Sequence, residues 1–398
     1  MTLLSARCYD TLLYMTNWYH YFTWKTAAIT FCRYLTIKYN AFYKFIDSEP
    51  EPPFFMFANH AHKHDPFLIG GHIQHPLNYM ANVEAVSPFK AFWGHLIGVY
   101  GKKKGLPDYR AVKTTVSLIR ANHAIGIFPE GDRSWDGRNT PVMPNAVDLL
   151  KKLRCPLRIV HLAGNYLSWP RWADFPRHGK IILTYRTIQA DKIHEMSASE
   201  LTNTINQILS QNDFSDPELN KIEYSGKNTA HGIARVLWLC PKCKNQDCLA
   251  GNLDIISCSV CGESWNIDAN CRIAGGYGGF PNLQQWMDFQ KNEAAEGIKT
   301  IPTGQHITKT KNISFSILDP RSDNQTEKGS LFLFSTHLEF RPLNNTSPVI
   351  TVPLSEIKYY IDNFNHSFIF GNEKTRYKVF FYGQSALKFI TMLDALKI

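Results

Sequence analysis

The 398-residue chain is long enough for two or three domains, each with a sizeable hydrophobic core. Its 44% hydrophobic and 19% charged residues exclude a disordered chain, and its net charge of +9 favours acidic partners: nucleic acid, anionic lipid surfaces or phosphorylated substrates. Nine cysteines are too unevenly spread for a disulfide scaffold, and four of them form two Cys-x-x-Cys pairs, which indicates metal binding in a reducing compartment.

Residues 1–46 are rich in tryptophan, tyrosine and phenylalanine, and lysines and arginines interrupt them. We expect two amphipathic helices that lie in a membrane interface, with aromatic rings at headgroup level and basic residues near anionic lipid. The alternative is a helical hairpin packed on the protein's own core. The longest apolar stretch, residues 11–24, is shorter than the ~20 apolar residues that a spanning helix needs. We expect no secretory signal.

Between residues 47 and 225, strand-like and helix-like segments alternate, which predicts an α/β domain with helices on the faces of a sheet. Strands are expected at residues 54–58, 77–81, 124–128, 157–163 and 180–186. Helices are expected at residues 66–73, 109–122, 145–153 and 197–212. Active sites in such sheets gather at the ends of the strands. Residues 169–172, Trp-Pro-Arg-Trp, form either an interfacial loop or a packed corner.

The first candidate site follows the strand at residues 54–58, where three histidines and an aspartate lie close together. His60 and Asp65 would lie about 140° apart on a regular helix, so they meet only if the chain turns between them. Asp65 and Pro66 supply that turn, with the aspartate as N-cap and the proline as first helical residue. His60 is then a general base that Asp65 orients. The alternative is that His60, His62 and His64 cap a helix and line a polar loop.

The second candidate site follows the strand at residues 124–128, which runs directly into Pro129-Glu130-Gly131. The glycine permits a tight turn and the close approach of a ligand. Glu130 can accept hydrogen bonds from hydroxyls, and Arg133 can bind a phosphate or carboxylate with two parallel hydrogen bonds. Between the two sites, lysines 102–104 lie on a glycine-flanked turn, for which a solvated basic loop is the alternative.

These two motifs, Asn59-His60-x4-Asp65 and Phe128-Pro-Glu-Gly-Asp-Arg-Ser134, resemble in order and spacing the glycerolipid acyltransferase family, which includes the lysophosphatidate acyltransferases. The resemblance covers roughly residues 30–210. It implies that His60 deprotonates an acceptor hydroxyl, which attacks the thioester of acyl-CoA or acyl-carrier protein, and that Asp65 orients His60. It also implies that Glu130, Gly131 and Arg133 bind the glycerol phosphate, with Lys104 as a further phosphate contact.

The sequence departs from the family pattern at two positions. Asp132 occupies the place of the usual threonine, and His62 occupies that of a common serine. Because Asp132 adds a negative charge beside the phosphate site, an amine or a neutral hydroxyl stays an alternative acceptor. The predicted function is transfer of a fatty acyl group to a lysophospholipid hydroxyl, of the 1-acylglycerol-3-phosphate O-acyltransferase type. The alternatives are acyl transfer to a different lipid or amine, and a catalytically silent lipid-binding scaffold.

Residues 235–275 contain the two cysteine pairs, Cys240 with Cys243 and Cys258 with Cys261. Four thiolates on two tight turns provide the tetrahedral site that structural zinc prefers, and the pattern resembles a zinc ribbon. Free or redox-active cysteines are the alternative. Nothing between the pairs forms a basic stripe, so we expect no nucleic-acid partner.

Residues 311–398 contain short alternating strands separated by turn residues and closed by a helix at residues 384–396. Residues 329–340 and 353–357 resemble the GRAM branch of the pleckstrin-homology-like fold, which implies a module that binds lipid or protein. A purely structural domain is the alternative. Residues 276–310 are expected to form a linker and a helix.

The sequence therefore predicts an α/β acyltransferase domain (a mixed sheet flanked by helices) with N-terminal interfacial helices, followed by a zinc ribbon and a small β-rich PH-like domain. We expect a peripheral, monotopic protein on the cytoplasmic face of a membrane. Its expected partners are the membrane lipid surface, a lysophospholipid acceptor and an acyl donor.

Overall fold

The computed structural model describes residues 17–82, 98–102, 108–302, 304–318, 326–344, 347–363 and 366–396. The described strands form three sheets: seven strands in the N-terminal half, four in the middle and seven at the C-terminal end. Among the described residues, no helix has both the length and the apolar character that crossing a bilayer requires.

The first sheet is mixed, and its fully buried strand β2 lies at the centre. Its strands are β1 (Ala41–Phe45), β2 (Phe55–Ala58), β3 (Leu77–Asn82), β4 (Val99–Lys102), β5 (Ala124–Ile127), β6 (Leu157–Ala163) and β7 (Ile181–Ile188). The spatial order is β1-β7-β6-β2-β5-β3-β4, with β6 and β7 antiparallel and the other neighbours parallel. The predicted α/β domain with a mixed sheet is confirmed. Its inner strands are short apolar runs, as is usual for strands buried on both faces.

Helices accompany this sheet along the chain. They are α1 (Asn17–Ala27), α2 (Arg33–Lys38), α3 (Asp65–Gly70), α4 (Tyr109–Arg120), α5 (Pro144–Leu153), α6 (Asn165–Ser168), α7 (Ala190–Glu195) and α8 (Ala198–Leu209). Side-chain caps set where two of them begin: Asp108 accepts a hydrogen bond from the Ala111 amide at the start of α4, and Ser197 and Glu200 form a capping box at α8.

The N-terminal segment differs from the predicted pair of helices. Residues 1–16 lie outside the described residues, and a π-helical segment, Ala28–Cys32, joins α1 to α2 in one helical run. Asn40 then takes a φ of 47°, the left-handed conformation that commonly ends helices. The chain continues as edge strand β1, which pairs in parallel with β7. The domain boundary placed at residue 46 is therefore wrong, because residues 41–45 belong to the sheet.

This helical run has apolar side chains on two sides. One set is buried in the core: Trp24, Ala28, Cys32, Leu35 and Tyr39. A second set is exposed: Phe22, Ile29, Phe31, Tyr34 and Ile37. Packing on the core therefore accounts for the first set only, and an apolar surface remains.

The middle of the chain forms a small antiparallel sheet with the order β11-β10-β9-β8. Its strands are β8 (Leu249–Asn252), β9 (Ile255–Cys258), β10 (Ser264–Ile267) and β11 (Ile273–Ala274). The following helix, α9 (Leu283–Thr300), lies within the predicted linker and helix at residues 276–310. The buried Trp286 of α9 packs against the buried Trp265 of β10 at a ring distance of 4.7 Å, so helix and small sheet share a core.

The C-terminal sheet is antiparallel throughout its described pairs, in the order β15-β14-β13-β12-β18-β17-β16. The elements are β12 (Thr308–Ile317), β13 (Thr326–Leu333), β14 (His337–Pro342), β15 (Ile350–Pro353), β16 (Tyr359–Asn363), β17 (Ser367–Gly371), β18 (Arg376–Phe381) and the closing helix α10 (Ala386–Ala395). The region is rich in strands as expected, although β12 begins before the boundary predicted at residue 311. Its relation to the GRAM domains stays a prediction.

Polar contacts join the three units. In α9, Gln284 donates a hydrogen bond to the Asp136 carbonyl oxygen at 2.8 Å, and Asp288 accepts two from Arg138 at 2.9 and 2.5 Å. The fully buried Lys388 of α10 forms an ion pair with Asp247, just before β8. The α/β domain, the small sheet and the C-terminal sheet are therefore held against one another.

Candidate active site

The two sequence motifs meet because β2 and β5 are adjacent parallel strands. Phe57 of β2 lies opposite Ile127 of β5, so both strands end at the same edge of the sheet. His60 follows β2, and Glu130 follows β5. The Ser134 amide donates a hydrogen bond to the His60 carbonyl oxygen at 2.8 Å, which joins the two loops directly.

His60 and Asp65 form a hydrogen-bonded pair. The Nδ1 atom of His60 lies 2.8 Å from Oδ2 of Asp65. This Asp65 oxygen also accepts hydrogen bonds from the backbone amides of Ala61 and His62, at 3.0 and 2.9 Å. The helix begins one residue earlier than predicted, with His64 as N-cap and Asp65 as the first residue of α3. The chain turns between His60 and Asp65 as the spacing required.

Asn165 is a fourth partner of Asp65 that sequence reasoning missed. Its Nδ2 atom lies 3.3 Å from Oδ1 and 3.2 Å from Oδ2 of the carboxylate. Asn165 opens α6, just after β6 and Gly164, and β6 is the other neighbour of β2 in the sheet. The position of a polar residue at the end of a strand adjacent to β2 could therefore have indicated Asn165 as a site residue.

The electrostatics of the pair favour a neutral imidazole beside a carboxylate. Burial lowers the pKa of His60, and this outweighs the opposing effect of Asp65. Burial would raise the pKa of Asp65, but the hydrogen bond with His60 and the nearby histidines hold this pKa below its ordinary value. Because a carboxylate can only accept, Nδ1 of His60 carries the proton and Nε2 carries the lone pair. The His60 side chain is 19% exposed, and Nε2 has no hydrogen-bond partner among the described residues.

The His60 ring is held from its face by Phe128. The two ring centroids lie 4.0 Å apart with an interplanar angle of 21°. Tyr79 stacks behind Phe128, and a Cβ atom at Gly126 would lie 2.4 Å from the Tyr79 ring. Glycine at position 126 is therefore required for the aromatic stack that supports His60.

Glu130 contacts the backbone of two loops, and the acceptor-binding role that the resemblance implied stays a prediction. It is 8% exposed, and its Oε1 atom accepts a hydrogen bond from the His60 amide at 3.0 Å. Its Oε2 atom accepts hydrogen bonds from the amide and hydroxyl of Thr140, at 3.1 and 3.4 Å. Burial raises the pKa of Glu130 to about 8, although these amides act in the opposite direction. Since both oxygens already bind protein groups, Glu130 holds the His60 loop in place.

Gly131 provides the turn between Glu130 and Arg133. Its φ is +78°, and an added Cβ would lie 2.8 Å from the sulfur of Met143. Its amide donates a hydrogen bond to the Phe128 carbonyl oxygen at 3.1 Å. The described contacts of Gly131 are thus those of a turn residue.

Arg133 is the available cation of the site. Its guanidinium forms no hydrogen bond or ion pair with the described residues, although the side chain is partly buried. Burial lowers the pKa of Arg133 to about 10, with Arg171 acting in the same direction and Asp132 and Asp362 opposing. A partly desolvated guanidinium whose donors make no direct hydrogen bond with the described residues is unfavourable, so this position favours binding of an anion.

Asp132, the departure from the family pattern, lies beside another cation. Its Oδ1 atom is 3.3 Å from Nη1 of the buried Arg171. Arg171 is part of residues 169–172, which form a packed corner: Trp172 is fully buried, and the Trp169 indole donates a hydrogen bond to the Ala173 carbonyl oxygen. The negative charge of Asp132 therefore has a nearby positive partner.

The remaining predicted residues of the first two motifs lie around this centre or outside the described chain. His62 is fully buried, its Nδ1 accepts a hydrogen bond from the His64 amide, and burial lowers its pKa to about 3. The Nδ1 atom of His64 lies 3.2 Å from the Tyr39 hydroxyl. Both histidines are therefore packing residues of the loop. Lys104 falls outside the described residues, whereas Lys102 ends β4.

The four paired cysteines converge on one point. The Sγ atoms of Cys240, Cys243, Cys258 and Cys261 all lie within 4.8 Å of one another. The Cys240–Cys261 and Cys243–Cys258 sulfur distances are both 3.7 Å. Tetrahedral zinc with Zn–S bonds of about 2.3 Å needs sulfur separations of about 3.8 Å, so the donor set fits this metal.

Residues 41–162 match the family model described as Acyltransferase. This range contains His60, Asp65, Glu130 and Arg133. The match identifies the protein as an acyltransferase enzyme. No curated protein matches the chain.

Two solved structures show weak similarity. The 1-acyl-sn-glycerophosphate (LPA) acyltransferase PlsC from Thermotoga maritima is 18% identical, with a TM-score of 0.41, over 48% of this chain and 78% of that chain. The C-terminal domain of an unknown protein from Leishmania infantum is 11% identical, with a TM-score of 0.19, over 29% of this chain and 100% of that chain. At these scores, neither similarity carries an argument for substrate or mechanism.

Proposed function

We propose that the protein transfers a fatty acyl group from acyl-CoA or acyl-carrier protein to a lysophospholipid hydroxyl. The reaction is of the 1-acylglycerol-3-phosphate O-acyltransferase type and belongs to phospholipid biosynthesis. The observation that carries this proposal is the neutral His60, oriented by Asp65, on the same loop pair as the unpartnered guanidinium of Arg133. One group can activate a hydroxyl, and the other can hold the phosphate of the same molecule.

The proposed reaction needs no nucleophile from the protein. The acceptor hydroxyl gives its proton to Nε2 of His60 while its oxygen attacks the thioester carbonyl carbon. Collapse of the tetrahedral intermediate breaks the carbon–sulfur bond, and the proton passes from His60 to the leaving thiolate. The products are the ester and the free thiol. Asp65 keeps the Nδ1–H tautomer throughout and stabilises the transient imidazolium.

The charges around the second motif support a phosphorylated acceptor over an amine. The described ion contact of Asp132 is with Arg171, so this carboxylate does not occupy the guanidinium of Arg133. Arg133 is then free to bind phosphate through two parallel hydrogen bonds. The additional phosphate contact at Lys104 remains part of the proposal.

The exposed apolar surface of α1 and α2 supports binding to a membrane surface. Phe22, Ile29 and Ile37 are 63%, 60% and 74% exposed, and the same helical run carries basic residues. Large apolar side chains exposed along one helical run, together with basic residues, are typical of helices that lie in a membrane interface. Phe31 packs on Phe67 of α3 at a ring distance of 5.0 Å, so the surface adjoins the His60 loop. We propose a peripheral protein at the cytoplasmic face, with acyl chains entering from the lipid.

Two further assignments complete the proposal. The four clustered cysteines bind a structural zinc ion in a zinc ribbon. The C-terminal sheet is a GRAM/PH-like module that binds lipid or protein.

The pH dependence of turnover tests the state of His60. Activity is lost as pH falls and the base becomes protonated, and the lowered pKa of His60 places this loss below its ordinary value of 6.5. We expect kcat/KM for the acceptor to rise with pH through a midpoint below 6.5 and then to level off. In Asp65→Asn the midpoint moves lower still, because Asp65 raises the pKa of His60. A wild-type midpoint at or above 6.5 would contradict a buried, neutral base.

The acceptor is tested with a panel of lysophospholipids and one neutral monoacylglycerol, with acyl-CoA as donor. We expect the wild-type protein to acylate lysophosphatidate and Arg133→Gln to raise its KM by about 100-fold, the effect of losing a bidentate charge-assisted contact. Turnover of the monoacylglycerol stays the same in both proteins. Arg138→Gln is the matched control, since Arg138 pairs with Asp288 away from the site.

Three outcomes speak against the proposal. Absence of turnover with every lysophospholipid would contradict the proposed enzyme activity and would favour a catalytically silent lipid-binding scaffold. Preference for an amine acceptor would contradict the assignment of a phosphorylated acceptor. Equal losses with the charged and neutral acceptors in Arg133→Gln show that Arg133 does not bind the phosphate.

A further inference from the structure

Arg171 makes a buried contact between the second motif and the C-terminal domain. Its side chain is 1% exposed, and its Nη1 atom donates a hydrogen bond to the Arg133 carbonyl oxygen at 2.5 Å. The same Nη1 atom lies 3.3 Å from Asp132. The guanidinium also lies over the Trp135 ring, 3.7 Å from its centroid. One side chain thus contacts three residues of the second motif loop, 131–135.

The other end of this guanidinium binds the C-terminal sheet. Its Nη2 atom lies 2.5 Å from Oδ2 of Asp362, a residue of β16 whose side chain is also 1% exposed. The two residues are 191 positions apart in the chain. The C-terminal domain therefore reaches the loop that carries Arg133 through a fully buried ion pair.

We propose that Asp362 and Arg171 are positioning residues for the acceptor site, so that the C-terminal domain is a component of that site. This inference rests on the proposed function, in which Arg133 binds the acceptor phosphate. Asp362 fixes the Arg171 guanidinium, which in turn holds the Arg133 backbone and lies against Asp132. The hydrogen-bond donors of the Arg133 guanidinium are then left for the acceptor.

Loss of Asp362 has a predictable consequence for the loop. Arg171 would remain buried with the partly exposed Asp132 as its nearest described carboxylate, and the loss of its buried counterion favours rearrangement. The guanidinium would move toward Asp132 and release its hold on the Arg133 carbonyl. The position of Arg133, and so acceptor binding, would change before the His60–Asp65 pair does.

A second buried ion pair offers the matched control. Lys388 of the C-terminal helix is fully buried and pairs with Asp247, and it also donates a hydrogen bond to the Lys309 carbonyl oxygen at 3.0 Å. This pair joins the C-terminal domain to the small sheet and has no described contact with residues 131–135. A substitution at Asp247 therefore disturbs the fit of the same domain without touching the proposed acceptor site.

The first test compares Asp362→Asn, Asp362→Glu and Asp247→Asn in the full chain. We expect Asp362→Asn to raise the KM for lysophosphatidate by about tenfold, with kcat and the KM for acyl-CoA changed less than about twofold. Asp362→Glu retains the carboxylate and recovers most of the affinity. Asp247→Asn lowers the melting temperature and leaves the acceptor KM unchanged. An unchanged KM in Asp362→Asn, or equal changes in both asparagine variants, overturns the proposal.

The second test does not depend on turnover. Hydrogen exchange of the amides at 130–136 is measured by mass spectrometry, and we expect about tenfold faster exchange in Asp362→Asn but not in Asp247→Asn. Faster exchange without activity on any lysophospholipid refutes the proposed function and retains the positioning role. Activity that depends on Arg133, combined with unchanged exchange and KM in Asp362→Asn, refutes the positioning role alone.

Discussion

Replacing His60 by alanine is expected to lower kcat for acyl transfer by about 10²- to 10⁴-fold, the usual contribution of a positioned general base. The acceptor hydroxyl would then have to lose its proton to water. The measurement is steady-state turnover with acyl-CoA and lysophosphatidate. Acceptor and donor KM values should change little, because Arg133 and the apolar surface of α1 and α2 are untouched.

Asp65→Asn is expected to lower kcat by a similar factor, for a different reason. The asparagine carbonyl can still accept hydrogen bonds from the Ala61 and His62 amides. The same oxygen position accepts from Nδ1–H of His60, but the asparagine is neutral, so the imidazolium that forms during transfer loses its stabilising charge, and the new NH2 group meets the Nδ2 donor of Asn165. Asn is preferable to Ala here, since Ala would leave both buried amides without a partner.

His64→Ala is the matched control for the dyad. His64 lies on the same loop, and its ring contacts Tyr39 rather than Asp65. We expect its kcat to stay within about threefold of the wild-type value, with a modest loss of stability from lost packing. Equal turnover by His60→Ala and wild type, with His64→Ala impaired, would contradict the assignment of His60 as the base and would indicate His64 instead.

The sequence allowed the elements around His60 to be predicted because their signals are local. Apolar runs bounded by turn residues predicted β2, β5 and β6, and these strands bring residues 60 and 130 to one edge of the sheet. The five-residue spacing of His60 and Asp65 was enough to require a turn. Residues 41–45 were misplaced because aromatic residues suit both an interfacial helix and an edge strand, and the signal at Asn40 that ends the helix was overlooked.

The contacts that complete the site could not be predicted in this way. Asn165 meets Asp65 across 100 positions, and Asp362 meets Arg171 across 191. No periodicity or turn preference links residues so far apart, since the fold alone brings them together. The protein partners of Glu130 could not be predicted for a related reason: a carboxylate in a motif does not reveal whether its oxygens face a ligand or the backbone of another loop.

Loss of metal is expected to unfold the middle of the chain. Structural zinc in small cysteine sites supplies about 10–16 kcal/mol of apparent binding free energy, which is folding free energy for the module. We expect one zinc ion per chain by elemental analysis, and none in Cys258→Ser. Chelation or this substitution should remove the cooperative unfolding transition of residues 235–275 and lower acyl transfer, because α9 and the C-terminal domain pack on this module.

Cys248→Ser tests whether Cys248 is a zinc ligand or only a neighbour of the four proposed ligands. The Cys248 sulfur lies 3.5 Å from that of Cys258 and donates a hydrogen bond to the Asn245 carbonyl oxygen, which serine can also make. We therefore expect Cys248→Ser to retain one zinc ion and full activity. Retention of zinc by Cys258→Ser, or its loss from Cys248→Ser, would contradict the assigned ligand set. If Cys258→Ser lost zinc but kept its acceptor KM, the metal-bound module would not be needed to hold Asp362 against Arg171.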